Sequence, residues 1–79
     1  MKEDKKRLRL SIELVNEFTE YAIKALCRLV KEEFGIALKF AKHRNGNFTI
    51  ESLTLLDRLT EMRIHWYAKG FLDYHIDLA

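Results

Sequence analysis

Carboxylate and imidazole groups alternate near the end of the chain, at Asp73, His75 and Asp77. Such groups ligate metal ions and transfer protons, so this triplet is the first place to look for chemistry. On an extended strand the three side chains point to one side, with neighbours about 6.6–7 Å apart. Two of them could share an ion, but a closed site needs further ligands from elsewhere in the fold. We therefore expect these residues to pair with surface cations and predict no metal site.

The other reactive side chains are scattered along the chain. Cys27 is the only cysteine, which excludes an intrachain disulfide within this sequence and favours a small, partly buried apolar role. His43 lies near a predicted loop tip, and His65 follows Glu61 at the spacing of a helical surface pair. The sequence contains no glycine-rich phosphate loop, zinc motif or nucleophile elbow. It therefore predicts no enzyme, no catalytic residue and no cofactor.

The composition bounds the class of protein. Seventy-nine residues suffice for one domain, which we expect to span residues 1–79. Hydrophobic residues make up 48% and charged residues 33%, which favours a folded domain over a disordered chain. The net charge of +2 is too small to imply nucleic acid or an anionic membrane as a partner. Because no apolar run approaches the roughly 18–20 residues of a membrane span, we expect a cytoplasmic protein.

A turn signal at Asn45-Gly46, with alternating apolar residues on both sides, predicts a β-hairpin at the middle of the chain. A two-residue loop would put the apolar residues on opposite faces, which burial forbids. An odd loop centred on Gly46 pairs Lys42 with Ile50 and keeps them together. We therefore predict a loop of three or five residues, with Gly46 or Asn47 at positive φ. The shared apolar face consists of Ile36, Leu38, Phe40, Phe48 and Ile50.

Helical periodicity flanks the hairpin on both sides. From about Leu14 the apolar residues follow helical spacing, with Asn16 as the N-cap and Gly35 as the residue that ends the helix. A second helix is predicted to begin within Thr49–Ser52, with the threonine as N-cap, and to end at Gly70. Its inward stripe is expected to comprise Leu55, Leu56, Leu59, Met62 and Trp66.

Period-2 alternation predicts one strand near residues 8–12 and another at residues 72–78. The resulting order is β-α-β-β-α-β, an α+β arrangement that resembles the ferredoxin-like two-layer sandwich. Its antiparallel four-stranded sheet has the order 4-1-3-2, with two helices on one face. Arg7 and Arg9 would then lie beside Asp73 and Asp77 of the fourth strand, with Glu51 of the third strand on their other side.

Two surfaces are candidates for partner contact. Ile64, Tyr67 and Phe71 lie to one side of the predicted inward stripe, and they would form either an exposed apolar patch or a cap over the end of the core. Near the N-terminus, Lys5, Lys6, Arg7 and Arg9 form a basic cluster that could contact phosphate. The open sheet face would carry no aromatic residue for base stacking, so we do not expect nucleic acid as a partner.

These observations favour a non-catalytic interaction or assembly module, with a homodimer or a protein partner as the expected complex. One alternative is an engineered or computationally designed stable scaffold, since the helix ends carry glycine, the faces are well separated and proline is absent. A further alternative is weak nucleic-acid binding through the basic N-terminus, which would show as salt-sensitive affinity.

Overall fold

The computed structural model describes residues 5–77 as a small α+β domain. Its three strands and two helices come in the order β1 (Arg9–Ile12), α1 (Thr19–Phe34), β2 (Leu38–Lys42), β3 (Phe48–Ser52) and α2 (Arg58–Leu72). A π-helical segment, Asp73–Asp77, continues directly from α2.

The strands form an antiparallel sheet in the order β1-β3-β2. Because β1 and β2 each run antiparallel to β3, they are parallel to each other, and α1 provides the crossover between them. This arrangement confirms the 1-3-2 part of the predicted strand order. The predicted partnership of Arg9 and Glu51 is also confirmed, because these two residues lie opposite each other across β1 and β3.

The hairpin loop has one of the two predicted lengths but not the predicted centre. Lys42 pairs with Phe48, not with Ile50, so the five residues between them form the loop. The His43 N–H donates to the Asn47 carbonyl at 2.7 Å and closes this loop. Gly46 takes the positive φ, 93°, whereas Asn47 does not. The observed pairing differs from the predicted one by two residues. Because side chains alternate with a period of two along a strand, the same apolar residues still share one face of the sheet.

Helix α1 begins later than predicted because the residues before it form their own turn. The Asn16 side-chain oxygen accepts from the Phe18 N–H at 2.8 Å, outside the helix. The buried Thr19 hydroxyl accepts from the Val15 and Asn16 N–H groups and fixes the first helical residue. Gly35 ends the helix as predicted, with a φ of 71° and its N–H donated to the Lys31 carbonyl.

Helix α2 begins at Arg58, later than the predicted start within Thr49–Ser52. Residues 48–52 remain extended as β3, so Thr49 is a strand residue and not a helix cap. The alternation of buried Phe48, Ile50 and Ser52 explains this result, because it places three side chains in the core on one face. Asp57 occupies the N-cap position of α2.

The predicted fourth strand is not observed in the described residues, and the predicted helix end at Gly70 is wrong. Helix α2 runs through Gly70 to Leu72, and the π-helical segment follows without a break. Leu72 and Ile76 are both buried, and their separation of four residues suits a helical face as well as a strand. The expected pairing of Arg7 and Arg9 with a fourth strand is therefore not formed. Leu78, also assigned to that strand, lies outside the described residues.

One apolar core lies between the sheet and the helices. Both helices contribute to it from the same face of the sheet, which carries the inward residues of all three strands. Its fully buried large side chains include Leu8, Phe48 and Ile50 from the sheet side and Ile23, Leu26 and Ile64 from the helices. Ser52, also buried, ties β3 to the residues before β1, because its hydroxyl accepts from the Leu8 N–H at 2.9 Å.

Candidate interaction surfaces

The outward side of α2 carries three large apolar side chains, which we call the α2 outer surface: Leu59, Met62 and Trp66. They retain 59%, 49% and 61% of their maximal exposure, respectively. Their spacing of three and four residues aligns them along one side of the helix. An isolated exposed leucine is common in soluble proteins, but a row that ends in the only tryptophan of the chain is not.

The inward side of α2 is formed by a different set of residues from the one predicted. Ile64 is fully buried, and Ala68 and Leu72 lie on the same side of the helix. Tyr67 is half-buried and packs edge-on against Phe34, with ring centroids 5.4 Å apart. Phe71 is half-buried against the core. Ile64, Tyr67 and Phe71 therefore cap and fill the core, and the predicted inward stripe was wrong for Leu55, Leu59, Met62 and Trp66, which are exposed, although Leu56 is buried.

Cationic side chains border the α2 outer surface. Arg58, Arg63 and Lys69 are all exposed on α2. At 3.6 residues per turn, Arg58 and Lys69 lie along one side of the apolar row and Arg63 lies along the other. Glu61 is the only acidic residue of the helix and is partly covered. A shallow cavity of about 320 Å³ next to this border is lined by Lys6, Arg58, Glu61 and Met62.

A larger groove lies between β1 and the C-terminal half of α2, and we call it the β1 groove. It has a volume of about 680 Å³, and residues 9–13 and Val15 form one wall. The facing wall consists of His65, Lys69, Leu72, Asp73 and Ile76. Both apolar and charged groups therefore line it, and no compact cluster of acid, base and nucleophile is formed.

The open face of the sheet is polar. Glu51 of β3 lies between Arg9 of β1 and Lys39 of β2, and its carboxylate is 3.7 Å from the Lys39 ammonium. His43 Nε2 is hydrogen bonded to the Thr49 hydroxyl on the same hairpin. None of the residues that β1, β2 and β3 present on this face is aromatic; they are Arg9, Ser11, Lys39, Ala41, Thr49 and Glu51.

The predicted basic contact residues are exposed but differ in their anchoring. Lys5, Lys6, Arg7 and Arg9 are all accessible on the surface. Lys6 is held by two backbone hydrogen bonds to Leu56, in which its N–H donates at 3.0 Å and its carbonyl accepts at 2.7 Å. Arg9 is held within β1. The cluster is thus presented from a fixed backbone, beside the polar face of the sheet.

The reactive groups noted in the sequence do not converge. Asp73 and His75 lie on the π-helical segment, where the His75 ring packs against Phe71 at a centroid distance of 4.2 Å. Within residues 5–77, no three potential metal ligands lie close enough to hold an ion. Burial raises the pKa of the Cys27 thiol, so its thiolate is disfavoured. Over the same residues, no helix is long and apolar enough to cross a bilayer.

Comparison with known proteins adds no assignment. No family model, no curated protein and no solved structure matches this chain. The functional argument therefore depends on the surfaces described above.

The α2 outer surface was missed from the sequence because α2 carries apolar residues on two sides. Leu59, Met62 and Trp66 follow helical spacing, and so do Ile64, Ala68 and Leu72. The only available signal was the presence of two such rows on one helix, which exceeds what burial against a single sheet requires.

Proposed function

We propose that this chain is a non-catalytic protein-interaction module that binds a partner through the α2 outer surface. The observation that carries the proposal is the exposure of Leu59, Met62 and Trp66 in one row on a helix whose opposite side already fills the core. Tryptophan and methionine are enriched at protein interfaces, where their large side chains are removed from water. We infer a ferredoxin-like layout whose fourth strand position is vacant in residues 5–77.

The charges around this surface define the chemistry of the partner. Arg58 and Lys69 border one side of the apolar row and Arg63 borders the other, with Glu61 as the only carboxylate of the helix. A partner that covers the row will therefore bring its own border against cations on both sides. Carboxylates in that border are favoured because opposite charges steer association and set the register of an interface. We propose an amphipathic helix with an apolar face and acidic borders.

A second copy of this chain fits the surface less well. A two-fold interface brings each surface against the same surface of the other copy. An antiparallel pair of α2 helices would then place Arg63 against Arg63, and the Arg58 side against itself. Like charges across an interface are unfavourable, and Glu61 is the single acidic residue of α2 available to offset them. The asymmetry of charge therefore favours a different, acidic partner.

Two further assignments belong to this proposal. We assign no nucleic-acid role to Lys5, Lys6, Arg7 and Arg9, because the neighbouring open face offers polar and aliphatic side chains and no stacking platform. We place the module in the cytoplasm, where a single free thiol such as Cys27 remains reduced.

The test is a titration with two synthetic amphipathic helices that carry leucine on one face. One peptide has glutamate along both borders of that face, and its control has lysine at the same positions. Trp66 reports binding directly, because its emission shifts to shorter wavelength when water is removed from the ring. We expect the glutamate peptide to bind and the lysine peptide to bind on the order of tenfold or more weakly.

Matched variants locate the binding surface. Leu59→Ser/Met62→Ser should abolish the Trp66 shift, whereas Tyr21→Ser, which removes an exposed aromatic residue from α1, should leave it unchanged. No shift with either peptide would overturn the proposal. Equal binding of both peptides would overturn the acidic assignment. Binding to anionic phospholipid vesicles in place of the peptides, or self-association abolished by the double serine variant, would assign the surface to a membrane or to a second copy instead.

A further inference from the structure

The outer edge of β1 presents backbone groups that no strand among residues 5–77 pairs with. The Ser52 N–H donates to the Leu8 carbonyl at 3.0 Å, so residues 8 and 52 form a hydrogen-bonded pair. In an antiparallel ladder, opposite residues alternate between hydrogen-bonded and non-hydrogen-bonded pairs. Because residues 8 and 52 are a bonded pair, the register directs the N–H and carbonyl groups of Leu10 and Ile12 toward β3. The N–H and carbonyl groups of Arg9 and Ser11 point the opposite way. No strand within residues 5–77 pairs with this side of β1.

The β1 groove adjoins this edge and has space for another chain. Its volume of about 680 Å³ lies between the edge and the C-terminal part of α2. Leu10 and Ile12 line one wall, and Leu72 and Ile76 line the other, so apolar groups are available on the side of the groove that faces the helices. The groove occupies the position next to β1 that a fourth strand takes in the order 4-1-3-2.

We propose that the edge of β1 is a strand-acceptor site, which binds an extended peptide segment of a partner protein by β-augmentation. In this mode, backbone hydrogen bonds supply affinity and alternate side chains supply specificity. The inference goes beyond the α2 outer surface, because it involves a different site and a different conformation of the ligand.

The two sides of the site require different side chains at alternate positions of the added strand. Residues directed toward the helices meet the apolar walls of the groove. Residues directed toward the open face meet Arg9 and lie near Arg7, while the neighbouring Glu51 is shared with Lys39. Within the groove, the cations of Arg9 and Lys69 are balanced by the carboxylates of Glu13 and Asp73. The favoured segment therefore alternates apolar and acidic residues.

The chain itself supplies a suitable probe. Residues 71–79, with the sequence FLDYHIDLA, alternate apolar residues with Asp73, His75 and Asp77. In the structure this sequence is helical up to residue 77, so residues 71–77 do not pair with the β1 edge. A synthetic peptide of residues 71–79 is the probe, and the same peptide with lysine in place of both aspartates is its charge control.

Hydrogen exchange of the intact protein gives a residue-specific test. When the peptide binds, the amide protons of Arg9 and Ser11 should exchange at least severalfold more slowly, because they gain a hydrogen-bond acceptor. The amides of Leu10 and Ile12, already directed toward β3, should not change. The lysine control peptide should produce weaker protection at the same concentration.

Variants distinguish the β1 edge from the other edge of the sheet. Ser11→Pro removes one outward N–H without removing a hydrogen bond to β3, so it should abolish binding. Lys42→Pro removes an outward N–H from β2 and should leave binding unchanged. If Ser11→Pro does not fold, a peptide N-methylated at alternate residues tests the same edge with the unmodified protein. This peptide lacks the N–H groups that would donate to the Arg9 and Ser11 carbonyls, so it should not bind.

Three results would overturn the inference. The first is unchanged exchange at Arg9 and Ser11 with saturating peptide. The second is protection at the outward amides of β2, Phe40 and Lys42, in place of those of β1. The third is concentration-dependent protection of Arg9 and Ser11 without peptide, which would show that a second copy fills the site and not a partner segment.

Discussion

The two helices of this domain use their apolar residues differently. Helix α1 buries one row, Ala22, Ile23, Leu26 and Val30, and its outward side is mostly charged. An ion pair of 3.5 Å between Glu20 and Lys24 lies on that outward side. Helix α2 buries Ile64, Ala68 and Leu72 but also exposes Leu59, Met62 and Trp66. The apolar residues of α1 are thus explained by folding, whereas α2 has apolar residues that folding does not need.

This difference is the basis for the proposal that a partner covers the α2 outer surface. An exposed leucine or methionine contributes little to folding stability, and an exposed row of such residues promotes association. Their presence along α2, with cations on both borders, is explained if the surface is covered in a complex. Helix α1 carries one strongly exposed aromatic residue, Tyr21, and offers no comparable row.

The largest expected effect tests which side of α2 supports the fold. Ile64→Ala removes a fully buried side chain and should lower the free energy of unfolding by about 2–5 kcal/mol. Leu59→Ala, on the outward side of the same helix, should change it by less than about 0.5 kcal/mol. Guanidinium unfolding followed by circular dichroism measures both values. A larger loss for Leu59→Ala than for Ile64→Ala would mean that α2 is rotated the other way.

Two glycine substitutions should change the free energy of unfolding by smaller amounts and in opposite directions. Gly35 has a φ of 71°, so Gly35→Ala should destabilise the domain by about 1–2 kcal/mol. Gly70 is helical, and a Cβ there would meet no atom within 4 Å, so Gly70→Ala should stabilise the domain by about 0.5–1 kcal/mol.

Thermal unfolding of the two glycine variants alongside the parent protein measures the difference. A loss of stability in Gly70→Ala similar to that in Gly35→Ala would contradict the continuous helix. It would indicate that α2 ends at Gly70, as a fourth strand at residues 72–78 would require.

The parts of the fold that one pattern specifies were predictable from the sequence. Strand β1, the hairpin and helix α1 each show a single periodicity, and Gly35 and Gly46 take the positive φ values that their turns require. The side of the sheet that faces the core followed from the alternation of Phe40, Phe48 and Ile50. Even a wrong hairpin pairing left that side unchanged, since the shift was two residues.

The remaining parts were not predictable because two patterns fit the same residues. Leu72 and Ile76 fit both the alternation of a strand and the four-residue spacing of one side of a helix. In the structure this segment is helical, and both residues pack against the core. On α2, two apolar rows compete for the inward side. The candidate surface changed from Ile64, Tyr67 and Phe71 to Leu59, Met62 and Trp66 because tertiary packing, and not periodicity, selects the buried row.

The smallest expected effect is on the reactivity of Cys27, which is half-buried on the inward flank of α1. Half-burial raises the pKa of the Cys27 thiol above its ordinary value, because the thiolate loses hydration. The folded state therefore favours the protonated thiol. Its contribution to stability is present below the pKa of the unfolded chain and is lost as the pH rises through the higher folded pKa.

The rate of alkylation of Cys27 by iodoacetamide, measured against pH, tests this assignment. The folded protein should react more slowly at mildly alkaline pH than the protein in denaturant, with its rise displaced to higher pH. Tyr21→Cys/Cys27→Ser moves the thiol to the exposed side of the same helix and should react like the unfolded chain. Identical profiles for the two positions would contradict the comparison between the helices, because the inward flank of α1 would then be as open to solvent as its outward side.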